Sequence, residues 1–136
     1  MKKFLLVVAA AGLALCTFSP AFAIKQLNDQ FKEQYAGEKA TAEFKALVDE
    51  AKCNVCHVDK ANKKEVRNPY GTALHEALEK DKFPLKEFKT DPAKYAERLG
   101  KILVELEKAK SADPAHETFG ARMKANLLPG GDTSGK

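Results

Sequence analysis

Two cysteines and a histidine stand close together at Cys53-Asn54-Val55-Cys56-His57. Two thiols separated by two residues can each add to one vinyl group on the same edge of a porphyrin. A histidine next in line then comes beneath the iron as a nitrogen ligand, and Cys-x-x-Cys-His is the attachment signature of haem c. Three other chemistries use parts of this pattern. A redox-active Cys-x-x-Cys sits at a helix start after a strand, whereas a helical pattern leads into Cys53. A zinc site needs two more Cys or His ligands, and only His75 and His116 remain, at spacings that form no familiar pair. A plain local disulfide leaves His57 without a role. The pattern therefore predicts one haem, attached through Cys53 and Cys56, with His57 as the proximal iron ligand.

Further residues are candidates for the same site. Pro69, twelve residues after His57, can offer its carbonyl to the other nitrogen of that imidazole, as a proline at about this separation does in ordinary soluble cytochromes c. Such an outer partner fixes the ring and raises its basicity; the alternative is a plain turn residue. The sixth ligand is left open. Met123 is the sole methionine after residue 1, and methionine–histidine ligation favours a high potential, yet it shares a helical face with Phe119 and Leu127 and suits a core equally well. His75 would give a bis-histidine iron, but projects roughly 115° from the centre of its helix's apolar face, an exposed direction unless the haem lies on that flank. His116 follows Asp113-Pro114 in an expected loop, and an open or water-bound iron is the remaining choice. Lys60, Lys63, Lys64 and Arg67 either ring a haem edge and steer an acidic partner, or form a solvated loop with Asp59 and Glu65.

The elements that must position these residues are all helical in pattern. Phe44, Leu47, Val48 and Ala51 share one face of a helix over 41–52 that runs straight into the cysteines. Leu27, Phe31 and Tyr35 share a face over 28–35, with Gly37 as a stop. Asn68-Pro69-Tyr70-Gly71 reads as a turn, and from Thr72 a helix carries Leu74, Ala77 and Leu78 on the face of Tyr70. Phe83-Pro84 breaks it. Thr90-Asp91-Pro92 supplies a cap and a first-turn proline for a long helix to about residue 110, striped by Tyr95, Leu99, Ile102, Leu103 and Leu106. A short helix over 118–126 aligns Phe119, Met123 and Leu127. No sustained alternation or hairpin turn is present. The expected fold class is all-α: a small cytochrome c-like domain of about four to five helices around one covalent haem.

The chain of 136 residues begins Met1-Lys2-Lys3, continues apolar from Phe4 to Thr17 and closes at Ala21-Phe22-Ala23. These are the parts of a secretory signal peptide, too short for a comfortable bilayer span of roughly 20 residues. Cleavage is expected after Ala23, giving a periplasmic or otherwise exported protein without stable membrane insertion. A lipoprotein signal acylated at Cys16 is the competing reading, but Leu15 stands where such signals want a small residue. Residues 24–128 then make one domain, and 129–136, rich in Gly, Pro and Ser, a flexible tail. The signal holds two of the 23 basic residues and none of the 19 acidic ones, so 21 bases face 19 acids. That balance argues against a nucleic-acid partner.

The run Ala51-Lys52-Cys53-Asn54-Val55-Cys56-His57, the lysine-rich loop, Arg67-Asn68-Pro69-Tyr70-Gly71 with Ala73-Leu74, and the closing Phe119-Gly120 and Leu127-Leu128-Pro129-Gly130 together resemble small periplasmic monohaem cytochromes c of planctomycete and anammox-type bacteria. The resemblance implies a haem-binding electron carrier working between redox partner proteins, or a haem subunit of a larger assembly; the alternative function is haem-based binding of a small gas such as NO or CO, or a regulatory haem subunit of a larger complex. Some relatives pair as heterodimers, so a homo- or heterodimer is compatible with it. Relatives that use a cysteine as second axial ligand differ from this chain, which has no third cysteine after Ala23. No dedicated acid/base pair is legible, so no catalytic activity is expected.

Overall fold

A computed structural model describes residues 24–58 and 66–132. Among these described residues six α-helices follow one another: α1 (Lys25–Tyr35), α2 (Ala42–Ala51), α3 (Pro69–Lys80), α4 (Leu85–Thr90), α5 (Pro92–Leu106) and α6 (Phe119–Lys124), with one 3-10 turn at Lys52–Val55 between α2 and α3. No strand occurs among the described residues, only isolated bridges pairing His57 with Arg67 and Lys110 with Thr118. The expected signal peptide (1–23) and Lys60, Lys63 and Lys64 lie outside the described residues. Among those that are described, no helix is long and apolar enough to cross a membrane.

Caps account for most helix starts. The Thr41 hydroxyl accepts from the Phe44 N–H at 3.1 Å, the Asp91 carboxylate from Lys94 at 3.3 Å, and the Thr118 hydroxyl from Ala121 at 3.1 Å, each satisfying a donor that the helix cannot. The all-α expectation holds, with more helices than the four to five anticipated. The addition is α4: Pro84 ends the preceding turn and immediately precedes this new helix, whose Phe88 is fully enclosed. At six residues it is too short to show a period. Helix α3 begins at Pro69 rather than Thr72, because Asn68 caps it and proline suits its first position.

Helix α5 is the hub, packing against α1, α3 and α4. Its stripe behaves as the spacing predicts: Leu99, Leu103 and Leu106 are buried, and Tyr95 and Ile102 pack against the core from its edge. Burial of a leucine side chain contributes about 1.5–3 kcal/mol. Phe31, Tyr70 and Phe119 form the aromatic centre, with Phe31–Tyr70 and Tyr70–Phe119 centroids 5.7 and 5.2 Å apart in edge-to-face packing. This centre joins α1, α3 and α6. The segment after Leu128, expected as tail, is packed through its first residues. Pro129 is fully buried, and Arg122 donates to the carbonyls of Leu128 at 2.8 Å and Gly131 at 3.3 Å. Glycine and proline weaken a helix without preventing tertiary burial.

Candidate functional site

The cysteine loop is shaped by the way α2 ends. Lys52, its C-cap, has φ 51°, a left-handed conformation that long side chains seldom adopt. The chain there leaves the α-helix, makes the 3-10 turn through Cys53 and Val55, and closes with the Cys56 and His57 N–H groups both donating to the Cys53 carbonyl, at 3.2 and 3.0 Å. Cys53 is exposed and Cys56 half-buried, both as free thiols. Burial pushes the Cys56 thiol up to about 12; neighbouring Cys53 adds to the rise and Arg67 opposes it. Redox dithiols instead depress a thiol pKa to expose a thiolate.

The imidazole of His57 is oriented by backbone. Its Nδ1 lies 3.1 Å from the Val66 carbonyl oxygen. A carbonyl can only accept, so Nδ1 carries the proton and donates, leaving the Nε2 lone pair of the neutral ring free for a metal. The same carbonyl accepts from the Val58 N–H at 3.3 Å, and the His57–Arg67 bridge closes the loop. The outer partner proposed for Pro69 is thus supplied by Val66, three residues earlier. Pro69 is the exposed first residue of α3 and borders a different hollow, with Leu47, Arg122 and Leu128. No side-chain signal marks a backbone carbonyl in a sequence, so Val66 was not legible.

Asn68 locks this loop to α3. It is 2% exposed, and its amide nitrogen donates to the carbonyls of Asn54 at 3.1 Å and Val55 at 3.0 Å while its amide oxygen accepts from the Gly71 N–H at 2.9 Å. Its own N–H donates to the Cys56 carbonyl at 3.0 Å. Gly71 completes the joint: a Cβ there would stand 2.0 Å from the Cys56 carbonyl oxygen, so only glycine permits this approach. Sequence reasoning took Asn68 for part of a turn; an asparagine directly before a proline is equally a helix cap, and that signal could have identified it.

Cys53, Cys56 and His57 open onto one cleft of about 210 Å³, bordered by Ile24, Leu27, Leu74, Leu78 and Leu85 as an apolar wall, and by Lys25, Lys52, Arg67, Asn28 and His75. The amide oxygen of Asn28 is buried without a hydrogen-bond partner among the described residues. His75 therefore shares the cleft with His57. Met123 and His116 do not border it: Met123 packs against the core from α6, and the His116 Nδ1 contacts the Asp113 carboxylate at 2.9 Å, beside Arg122. Among the described residues no three His, Cys, Asp or Glu side chains converge to hold a bare metal ion. No protein-family model, curated protein or solved structure matches this chain.

Proposed function

We propose that this chain is a small exported c-type cytochrome that carries one covalent haem and passes single electrons between redox partner proteins. One observation carries the reading: both thiols of the Cys-x-x-Cys-His run and the imidazole beside them border one apolar cleft, with His57 Nδ1 committed to the Val66 carbonyl and Nε2 left to ligate. The haem would supply a reversible ferric–ferrous couple. Cys53 and Cys56 would anchor it as thioethers, and His57 would be its proximal ligand.

The residues present fit such a group. The leucine and isoleucine wall would keep water from a flat hydrophobic macrocycle, while Lys52 and Arg67 would offer positive charge for its two propionates. The cleft is smaller than the roughly 300–1,000 Å³ of pockets that enclose a ligand, in keeping with a cofactor that leaves an edge in solvent for electron exchange. Lys52 and Arg67 on the lining of the cleft would suit a partner with an acidic docking face. The alternatives fare worse. A thioredoxin-like site wants a strand before its first cysteine and a depressed thiol pKa, and a zinc centre wants convergent ligands; the cysteines here follow α2, and no such ligand group is gathered among the described residues.

The test is a redox titration of the protein produced with a cytochrome c maturation system. The expected result is a haem spectrum that converts reversibly between two forms in a one-electron step. A spectrum that does not respond to reductant, or an irreversible change, would exclude the carrier role.

A further inference from the structure

We infer that His75 supplies the second axial ligand to the iron, an assignment that rests on the haem reading above and deepens it. Sequence spacing left Met123, His75 and His116 as rivals, and their placement separates them. Met123 is committed to the core face of α6, and His116 to Asp113 in a cluster that also holds Arg122 and, through it, the Leu128 and Gly131 carbonyls. Neither borders the cleft of the cysteines. His75 does, on a flank that its helical angle leaves to solvent unless the haem lies there.

The joint between the loop and α3 sets this placement. Asn68 and Gly71 fasten the first turn of α3 to the Cys56 backbone. His75 is one turn beyond Gly71, about 6 Å along the axis at 1.5 Å per residue, and stands beside Leu74 and Leu78 on the cleft wall. An anchored helix thus brings one imidazole to the border of the cleft that His57 lines from the loop. The His75 side chain is 39% exposed, and its Nε2 makes a 3.4 Å contact with Glu79. A contact that long and exposed holds the ring weakly, leaving it free to turn to iron. Of the other nitrogen donors on the cleft with a flexible reach, Lys25 and Lys52, the first already pairs with Asp29 at 2.6 Å, and imidazole is the commonest nitrogen ligand of protein-bound metals.

Near-infrared magnetic circular dichroism and electron paramagnetic resonance of the full-length-derived ferric protein read the ligand pair directly. Expected is the low-spin signature of two imidazoles, with a ferrous form that resists carbon monoxide. His75→Ala should lose the low-spin signal and bind carbon monoxide rapidly, and added imidazole should restore the original spectrum. A methionine or amine signature, a wild-type iron that is already five-coordinate, or a His75→Ala spectrum identical to wild type would each overturn the assignment while leaving haem attachment standing. If His75→Ala folds poorly, His116→Ala decides: an unchanged two-imidazole spectrum in that variant keeps the assignment to His75, and loss of the signature there overturns it. A colourless protein with the mass of its polypeptide would instead remove the haem reading, and this inference with it.

Discussion

Replacing Asn68 by alanine tests the joint on which the whole site depends. The variant removes two donated hydrogen bonds, to the Asn54 and Val55 carbonyls, and the accepted one from Gly71, which is also the cap of α3. A net hydrogen bond contributes about 1 kcal/mol, and leaving a buried partner without its mate costs about as much again or more. On the net term alone the three together give a loss of at least about 3 kcal/mol, with the cap already counted among them. That is a large share of the ~5–15 kcal/mol by which domains are stable, and corresponds to a Tm lower by about 12–20 °C for a domain near this size. Urea unfolding followed by far-ultraviolet circular dichroism, compared at constant slope, measures it. Asn68→Asp separates the parts: it keeps an acceptor for Gly71 but sets a carboxylate against two carbonyls, and should be no more stable than Asn68→Ala. A loss under about 1 kcal/mol for alanine would refute the idea that this amide holds the loop.

Gly71→Ala should destabilise by about 2–3 kcal/mol and lower the yield of haem-bearing protein, since its Cβ meets the Cys56 carbonyl rather than a side chain that can move; thermal melts and absorbance per mole of protein check both. Met123→Ala should cost about 1–2 kcal/mol in a urea melt, less than full burial would imply, and leave the haem spectrum and midpoint potential unchanged because Met123 lies outside the cleft. The Asp113 carboxyl is held below its usual range, first by the hydrogen bond from His116, then by the Ala115 N–H, with Arg122 adding its charge. A depressed carboxyl adds stability above its unfolded pKa and loses that contribution as pH falls through the lower folded value. Asp113→Asn should therefore melt below wild type at neutral pH, and the gap should close below about pH 4.

Helix identity was legible wherever an apolar stripe ran for two turns or more, as in α2 and α5, because burial of one face is what such a stripe encodes. Helix α4 was not, since six residues hold too little of a period and Phe88 gains its meaning from α5, distant in no local pattern. The residues proposed to anchor the haem were legible by type alone: Cys53, Cys56 and His57 stand out by their spacing. Their supports did not. The Val66 carbonyl has no side-chain mark, and the close approach of Gly71 to Cys56 is a contact between backbones that sequence does not spell out. Likewise, helical angle placed His75 off the apolar face of α3 correctly, but only the position of α1 and the cysteine loop reveals that this flank borders a cleft rather than open solvent. Pro129 was misjudged because composition describes a segment's own preferences, and its burial comes from neighbours such as Asn68 and Arg122 that pack around the same stretch.

The central claim is covalent haem at Cys53 and Cys56, and the intact mass of the protein made with a cytochrome c maturation system tests it most directly. The predicted result is a coloured protein heavier than its polypeptide by one haem, with the added mass surviving acid denaturation and lost when both cysteines are replaced by alanine. A colourless product whose mass equals that of its amino acids would contradict it.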